Sequence, residues 1–180
     1  MQDLGPASDS PAMAILMLGR TGLIDFKFIA SCQDLLYLDL SSNSYRNQPI
    51  TYLEDAEILQ YLSLSINMYA KIPSIPNRLL CELDLSFNEI AYVDITTWLP
   101  NLRRLNLSGN FITTIKPLLL CPNLEQLLLS DNQIEDLHNL ASIAACNNLK
   151  DLDLSKNPIS DNKLMYVLAR LYLPKLEVWA

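Results

Sequence analysis

Few side chains in this sequence stand in a pattern that could catalyse a reaction. A serine nucleophile needs a neighbouring base, and the single histidine, His138, falls in a connecting segment. Asp39 and Asp84 could transfer protons, but that role needs a water-excluding pocket that raises a carboxyl pKa. We expect both on an open surface. The sequence therefore predicts no catalytic residue, and six regularly spaced serines are interpreted as turn residues: Ser41, Ser65, Ser86, Ser108, Ser130 and Ser155.

Metal, redox and phosphate chemistry also lack their usual spacing. The four cysteines, Cys32, Cys81, Cys121 and Cys146, form no C-x-x-C pair, and no acidic residues stand at metal-ligand spacing around His138. The G-x-x-x-x-G-K-[ST] segment that holds nucleotide phosphates is absent from the sequence, which has only four glycines. We therefore expect no metal ion and no cofactor.

The charge balance narrows the choice of partner. The formal net charge is −7, whereas nucleic acids and anionic membranes attract proteins through a basic footprint. No apolar run approaches the ~20 residues of a membrane span. The segment 117–149 has acidic residues and no Lys or Arg, which would suit a basic partner or be ordinary solvated surface. A protein partner is predicted, with no direct contact to nucleic acid or membrane.

The strongest signal is an internal repeat. The pattern L-x-x-L-x-L-x-x-N begins at Leu35, Leu59, Leu80, Leu102, Leu124 and Leu149. Its asparagines recur every 21 to 25 residues, at Asn43, Asn67, Asn88, Asn110, Asn132 and Asn157. Six copies in one frame predict six stacked structural units.

Each repeat has a simple physical interpretation. The L-x-L core is a short strand whose leucines point inward while the residues between them face outward. Neighbouring strands pair in parallel, and each asparagine can satisfy backbone groups that the following turn leaves unpaired. Weaker copies occur at both ends: Leu16 and Leu18 with Thr21 in the place of asparagine, and a final frame of Leu173, Leu176 and Val178.

The motif predicts an α/β solenoid of the leucine-rich-repeat type, a horseshoe with a parallel concave sheet and a helical or irregular convex side. One domain is expected over residues 13–180, with about six full repeats and a cap over 158–180. Residues 1–12 are rich in Pro, Ser, Gly and Asp and are predicted to form a disordered tail. Cys32, Cys121 and Cys146 each precede an opening leucine by three residues, which indicates small buried thiols on the convex side.

The repeats resemble those of intracellular leucine-rich-repeat proteins of the phosphatase-regulator type. The closing segments 152–159, 166–168 and 173–178 are similar to a C-terminal cap shared by that regulator, a spliceosomal leucine-rich subunit and the leucine-rich light chain of axonemal dynein. The resemblance implies an N-P-I turn at Asn157, then a helix from about Asp161 to Leu171. Four residues at helical spacing would cover the last open strand: Leu164, Val167, Leu168 and Leu171.

Apolar and aromatic residues on the concave strands indicate where a partner binds. Aromatic residues and arginine within a polar border are typical of binding hot spots, although the tyrosines could simply stack between strands. Arg103 and Arg104 are expected to form ion pairs with Glu82 and Asp84. The predicted site consists of Tyr37, Asp39, Tyr61, Ile66, Glu82, Asp84, Phe87 and Arg104.

Three kinds of binding protein stay open at this point, with a hydrolytic enzyme as a disfavoured alternative. One is an adaptor or regulator of another enzyme such as a phosphatase, and the second is a structural subunit of a dynein- or tubulin-type ciliary or cytoskeletal assembly. The third is a ribonucleoprotein subunit that holds a splicing protein rather than RNA. Reduced, buried thiols suit an intracellular protein, so a cytoplasmic monomer is expected, with nucleus or cilium as alternative compartments.

Overall fold

The structure is a computed structural model that describes residues 14–22, 27–47 and 49–179, without the side chains of Thr51 and Trp179. The predicted disordered tail over residues 1–12 lies outside the described residues. In the part that is described, no helix is long and apolar enough to cross a membrane.

One parallel sheet of eight short strands forms the inner face of the molecule. Each strand pairs with the strand of the next repeat, in the order β1-β2-β3-β4-β6-β8-β9-β10. The strands are β1 (Ile15–Met17), β2 (Tyr37–Asp39), β3 (Tyr61–Ser63), β4 (Glu82–Asp84), β6 (Arg104–Asn106), β8 (Gln126–Leu128), β9 (Asp151–Asp153) and β10 (Val178–Trp179). The predicted leucine-rich-repeat horseshoe is confirmed.

The outer side is assembled from short, varied segments. Strands β5 (Tyr92–Val93) and β7 (Thr114–Ile115) pair in a second, two-stranded parallel sheet. Three 3-10 helices span Lys27–Ser31, Thr51–Asp55 and Pro158–Asp161, and the α-helices are α1 (His138–Ile143) and α2 (Lys163–Tyr172).

The core lies between these two layers and is made by the motif leucines. All eighteen leucines of the six complete motifs are at most 1% exposed. Because side chains alternate along a strand, the central leucine of each strand points into this core and its two neighbours point to the concave face. The repeat therefore fixes which residues a partner can reach.

A ladder of buried asparagines joins the repeats at the turn that follows each strand. Asn110 is representative: its Nδ2 donates to the carbonyls of Leu107 (2.9 Å), Leu85 (3.1 Å) and Ser108 (3.3 Å). Its Oδ1 accepts from the N–H of Ile90 at 3.0 Å. Leu85 and Ile90 belong to the preceding repeat, so each asparagine closes its own turn and bonds to its neighbour.

The C-terminal helix forms close to its predicted bounds, but it presents a different face to the core. Met165 and Ala169 are buried, whereas Leu164, Val167 and Leu171 are 59–71% exposed. The helix is apolar on nearly every side, so 3.6-residue periodicity fits two faces equally well. The predicted covering face was therefore wrong for Leu164, Val167 and Leu171, whereas Leu168 is partly buried against the core. Helix α2 packs beside α1 and the Pro158–Asp161 helix on the convex side.

The last repeat is displaced by three residues from its predicted frame. Val178 pairs with Asp151, so Leu176 corresponds to the opening leucine of the motif. The Leu176 N–H bonds to the Leu173 carbonyl at 3.1 Å, as Leu149 does to Cys146. The frame built on Leu173, Leu176 and Val178 was wrong because leucine also occupies the convex position that cysteine fills in other repeats.

Candidate protein-binding face

The concave sheet exposes two columns of side chains, and the predicted site residues fall in its N-terminal half. Strand register aligns Tyr37 with Tyr61 and Glu82, then Arg104, in the first column. The second column contains Asp39, Ser63 and Asp84. Ile66 and Phe87 lie just beyond strands β3 and β4. We call the eight predicted residues the aromatic face: Tyr37, Asp39, Tyr61, Ile66, Glu82, Asp84, Phe87 and Arg104.

The two tyrosines form a stacked pair at the centre of this face. Their ring centroids are 4.0 Å apart and their planes differ by 1°. Both side chains are half-buried. Burial raises the pKa of Tyr61, and its neighbour Tyr37 and the carboxylates of Asp84 and Asp39 raise it further. The Tyr61 phenol is therefore neutral at physiological pH.

A third column follows each strand in a left-handed backbone conformation. Its members share φ angles between 53° and 67°: Arg20, Ser42, Ile66, Phe87, Gly109, Asp131 and Lys156. The N–H of Ile66 bonds to the carbonyl of Ser86, and that of Phe87 to Ser108, both in the next repeat. These bonds hold the backbone in a conformation that β-branched and bulky residues rarely adopt. Ile66 and Phe87 are nevertheless 52% and 58% exposed.

Glycine at position 109 makes room for the Phe87 ring. A Cβ at this position would lie 2.5 Å from Cδ1 of Phe87, so any other residue would displace the ring. The φ angle of 67° also favours glycine. The exposed phenylalanine is thus held flat against the backbone of the next repeat.

The acidic residues of the second column have a structural contact that sequence reasoning missed. One carboxylate oxygen of Asp39 accepts from the N–H of Ser41, and one of Asp84 accepts from Ser86, both at 2.9 Å. Asn106 makes the same bond to Ser108 at 3.1 Å. The recurring D-x-S and N-x-S spacing was the signal for these turns. The second carboxylate oxygen of Asp39 and of Asp84 has no hydrogen-bond partner among the described residues.

The expected ion-pair cluster around Arg104 does not form. Arg103 pairs with Glu125 at 3.4 Å instead, and Lys150 pairs with the same carboxylate at 2.8 Å. These pairs lower the pKa of Glu125, chiefly through Lys150. Within the described part of the chain, the side chains of Glu82 and Arg104 form neither ion pair nor hydrogen bond. Side chains at neighbouring sequence positions point to opposite faces of a strand, so Arg103 could not join Arg104.

A shallow cavity of about 240 Å³ adjoins the tyrosine pair. It is lined by Tyr61, Glu82, Leu83, Asp84 and Arg104. One aromatic wall, two carboxylates and one guanidinium therefore converge on the same space. A side chain of a partner could enter it.

The C-terminal half of the sheet has fewer unsatisfied groups. Gln126 donates a hydrogen bond to Asp151, and Ser155 donates its N–H to Asp153 at 2.9 Å. Leu128 is half-buried. This half presents a solvated polar surface, in contrast to the aromatic face.

Among the described residues, the side chains outside the concave face that could act chemically do not form a second group. His138 begins α1 on the convex side, and its Nδ1 lies 2.7 Å from the Asp136 carboxylate. The backbone N–H and then the side chain of His138 lower the pKa of Asp136. Across the ranges that the structure describes, no group of three or more His, Cys, Asp or Glu residues could hold a metal ion.

Sequence reasoning also missed the exposed aromatic residue Phe111. It follows a ladder asparagine directly and is 52% exposed. The motif does not mark this position, because the corresponding residues elsewhere are as different as Ser44, Met68 and Pro158.

Comparison with known proteins agrees with this geometry. Residues 71–178, more than half of the chain, match a family model described as leucine-rich repeat. The chain therefore belongs to the leucine-rich-repeat family, as the sequence predicted.

Three solved structures are similar to the chain. The U2A′ protein in a crystal structure of the Drosophila melanogaster SNF/U2A′ complex is 28% identical, with a TM-score of 0.55 over 61% of this chain and 67% of U2A′. A leucine-rich-repeat protein of Leptospira interrogans is 26% identical, with a TM-score of 0.64 over 84% of this chain and 44% of its own. Internalin C2 of Listeria monocytogenes shares the fold at 24% identity and a TM-score of 0.50, over 88% of this chain and 56% of its own.

Proposed function

We propose that this protein is a non-enzymatic interaction module that binds a partner protein on its aromatic face. Leucine-rich-repeat proteins are typically interaction modules rather than enzymes. The aromatic face adds a specific surface, because it combines stacked tyrosines, exposed apolar side chains and an arginine without an ion pair. Tyrosine and arginine contribute a disproportionate share of the energy of protein interfaces.

The observation that carries this proposal is the position of Ile66 and Phe87. Both are large apolar side chains that are more than half exposed to solvent, on backbone with positive φ. A left-handed residue other than glycine costs roughly 1–2 kcal/mol. Neither backbone strain nor exposed apolar surface stabilises the free protein. We therefore infer that these two residues contribute to binding rather than to folding stability.

The similarity to U2A′ favours one of the alternative roles, that of a subunit in a ribonucleoprotein. U2A′ was crystallised in a complex with the protein SNF, and a similar partner would suit a module that holds protein rather than RNA. The adaptor role toward a phosphatase and the role in a dynein- or tubulin-type assembly rest on the sequence resemblance alone. A cytoplasmic monomer remains our expectation, with nucleus or cilium as alternative compartments.

The decisive experiment combines recovery of the partner with two substitutions. Pull-down from source cells and mass spectrometry identify the partner, and an SNF homologue in the eluate would support the ribonucleoprotein role. Its affinity is then measured for Tyr61→Ala and Arg104→Ala. Loss of an interface anchor typically costs about 2 kcal/mol or more, which corresponds to roughly thirtyfold weaker binding.

Lys150→Ala is the matched control, because Lys150 is exposed outside the aromatic face. It should leave affinity unchanged within a factor of about two, since exposed ion pairs contribute little. All three variants should melt close to wild type. If Tyr61→Ala and Arg104→Ala bind the recovered partner as tightly as wild type, the binding surface lies elsewhere.

A further inference from the structure

We infer that the partner presents a lysine or arginine side chain that enters the cavity beside Tyr61 and pairs with Glu82 and Asp84. This inference rests on the proposed binding face and adds the chemistry of the segment that occupies it. The occupant is thus a protein segment that carries a lysine or arginine, not a purely acidic or purely apolar one.

The charges of the aromatic face favour such a segment. Asp39, Glu82 and Asp84 contribute three negative charges and Arg104 one positive charge, which gives this face a net charge of −2. The expected ion pairs that would have neutralised it are missing, since Arg103 binds Glu125 on the other side of the strand. A cationic side chain is attracted here, whereas a carboxylate would be repelled by all three acids.

The hydrogen-bonding state of the carboxylates leaves acceptors available. Asp84 uses one oxygen for the Ser86 N–H, and Glu82 forms no side-chain bond to any described residue. Three carboxylate oxygens of residues that line the cavity therefore have no partner among the described residues: both of Glu82 and one of Asp84. An ammonium or guanidinium group carries only donors and can satisfy them together.

The aromatic wall suits the same occupant. Tyr37 covers one face of the Tyr61 ring at 4.0 Å, and the strand register places Glu82 on the opposite side. A cation that approaches Glu82 from the cavity thus meets the free face of this ring. Cations bind aromatic faces favourably. Burial keeps the Tyr61 phenol protonated, so its ring carries no charge that would repel an acidic side chain. The preference for a basic side chain over an acidic one therefore comes from the carboxylates.

Arg104 on the far wall limits the site to one basic side chain. A second cation would meet its guanidinium, so a partner with a lone lysine or arginine beside an acidic residue fits better than a polybasic tract. Arg104 then pairs with that acidic residue, which agrees with its role as an anchor in the proposed function.

The test uses a random dodecapeptide phage library panned on the whole protein. Peptides that bind wild type but not Tyr61→Ala are sequenced, and the strongest is synthesised for fluorescence titration. We expect these peptides to be enriched in lysine or arginine. The double variant Glu82→Gln with Asp84→Asn should bind the synthetic peptide at least about tenfold more weakly, and an increase from about 50 to about 500 mM NaCl should also weaken wild-type binding.

The control variant is Asp153→Asn, because Asp153 makes the same turn bond in the other half of the sheet. Asparagine preserves this bond, as Asn106 demonstrates in β6, so both variants should fold and the control should bind within about twofold of wild type. Peptides that require Tyr61 but contain neither lysine nor arginine overturn the inferred chemistry and leave the binding face intact. If every peptide that binds wild type also binds Tyr61→Ala equally well, both the inference and the proposed face are overturned.

Discussion

The N-terminal and C-terminal halves of the concave sheet share one backbone and expose different chemistry. In the first half, Ile66 and Phe87 are exposed on left-handed backbone, and the Glu82 carboxylate has no partner in the part of the chain that the structure describes. In the second half, Asp131 and Lys156 occupy the equivalent left-handed positions, and Gln126 bonds to Asp151. The difference indicates that the repeat motif constrains the leucines and asparagines equally throughout, while the surface residues vary independently of the fold.

The cysteines should reveal the largest difference between the two halves. Burial raises the pKa of both Cys121 and Cys146 to about 12, so their thiolate fraction near neutral pH falls roughly a thousandfold from that of an ordinary thiol. Cys32 and Cys81 are only half-buried. Iodoacetamide should label Cys32 and Cys81 of the native protein and spare the other two, as measured by peptide mass spectrometry.

All four thiols should react once urea unfolds the chain, which controls for intrinsic reactivity. Native labelling of Cys121 or Cys146 at a rate comparable with Cys81 would contradict a closed C-terminal core. Because reaction requires both thiolate and access, the experiment measures the tightness of packing on the convex side.

The asparagine ladder should be equally important in both halves. We consider three substitutions of ladder residues: Asn67→Ala, Asn110→Ala and Asn132→Ala. Each removes the side-chain hydrogen bonds to its own turn and to the preceding repeat, and it leaves buried backbone groups unpaired. Each should therefore lower the free energy of unfolding by roughly 1–3 kcal/mol. Thermal or denaturant unfolding measures this change. A variant that melts like wild type would contradict the structural role of the ladder. If Asn67→Ala and Asn132→Ala lost different amounts of unfolding free energy, the two halves would differ in their buried interior as well as on their surface.

The smallest expected effect concerns the left-handed positions. Ile66→Gly should raise the free energy of unfolding by about 0.5–1 kcal/mol, because the relieved strain exceeds the entropy that glycine loses on folding. Asp131→Gly should change it by less than about 0.5 kcal/mol, since aspartate tolerates this conformation. Chemical denaturation of both variants checks the pair. A loss of stability in Ile66→Gly would mean that its side chain contributes to folding more than its exposure indicates.

The fold was predictable from the sequence because the same signal occurs six times. Leucine spacing determined the strands, and the asparagines marked each turn. The C-terminal helix was harder, because Met165 and Ala169 compete with Leu164 and Val167 for the buried face at the same periodicity. The frame of the last repeat was mispredicted for a related reason, since Leu173 stands at the spacing expected of an opening leucine.

The composition of the candidate site was predictable, but its bonding was not. Alternation along the strands identified Tyr61 and Arg104 as concave residues. The pairing of charged side chains depends on distances that no linear pattern contains, so the Arg103–Glu125 pair emerged only in three dimensions. The turn bonds of Asp39 and Asp84 did have a signal in the D-x-S spacing, which the sequence analysis did not use. The left-handed backbone of Ile66 was not predictable, because isoleucine rarely adopts that conformation.

The ladder has a consequence for how the molecule opens. Each ladder asparagine bonds backwards to the preceding repeat, so each interface from β1 to β9 is closed by a residue from its C-terminal side. At the N-terminal end Thr21 stands in for asparagine, and its hydroxyl bonds only to the Leu18 carbonyl and to Asn43. Local fluctuations should therefore begin at residues 14–22 and advance toward the following repeats, so that amide hydrogen exchange is faster there than around Asn110.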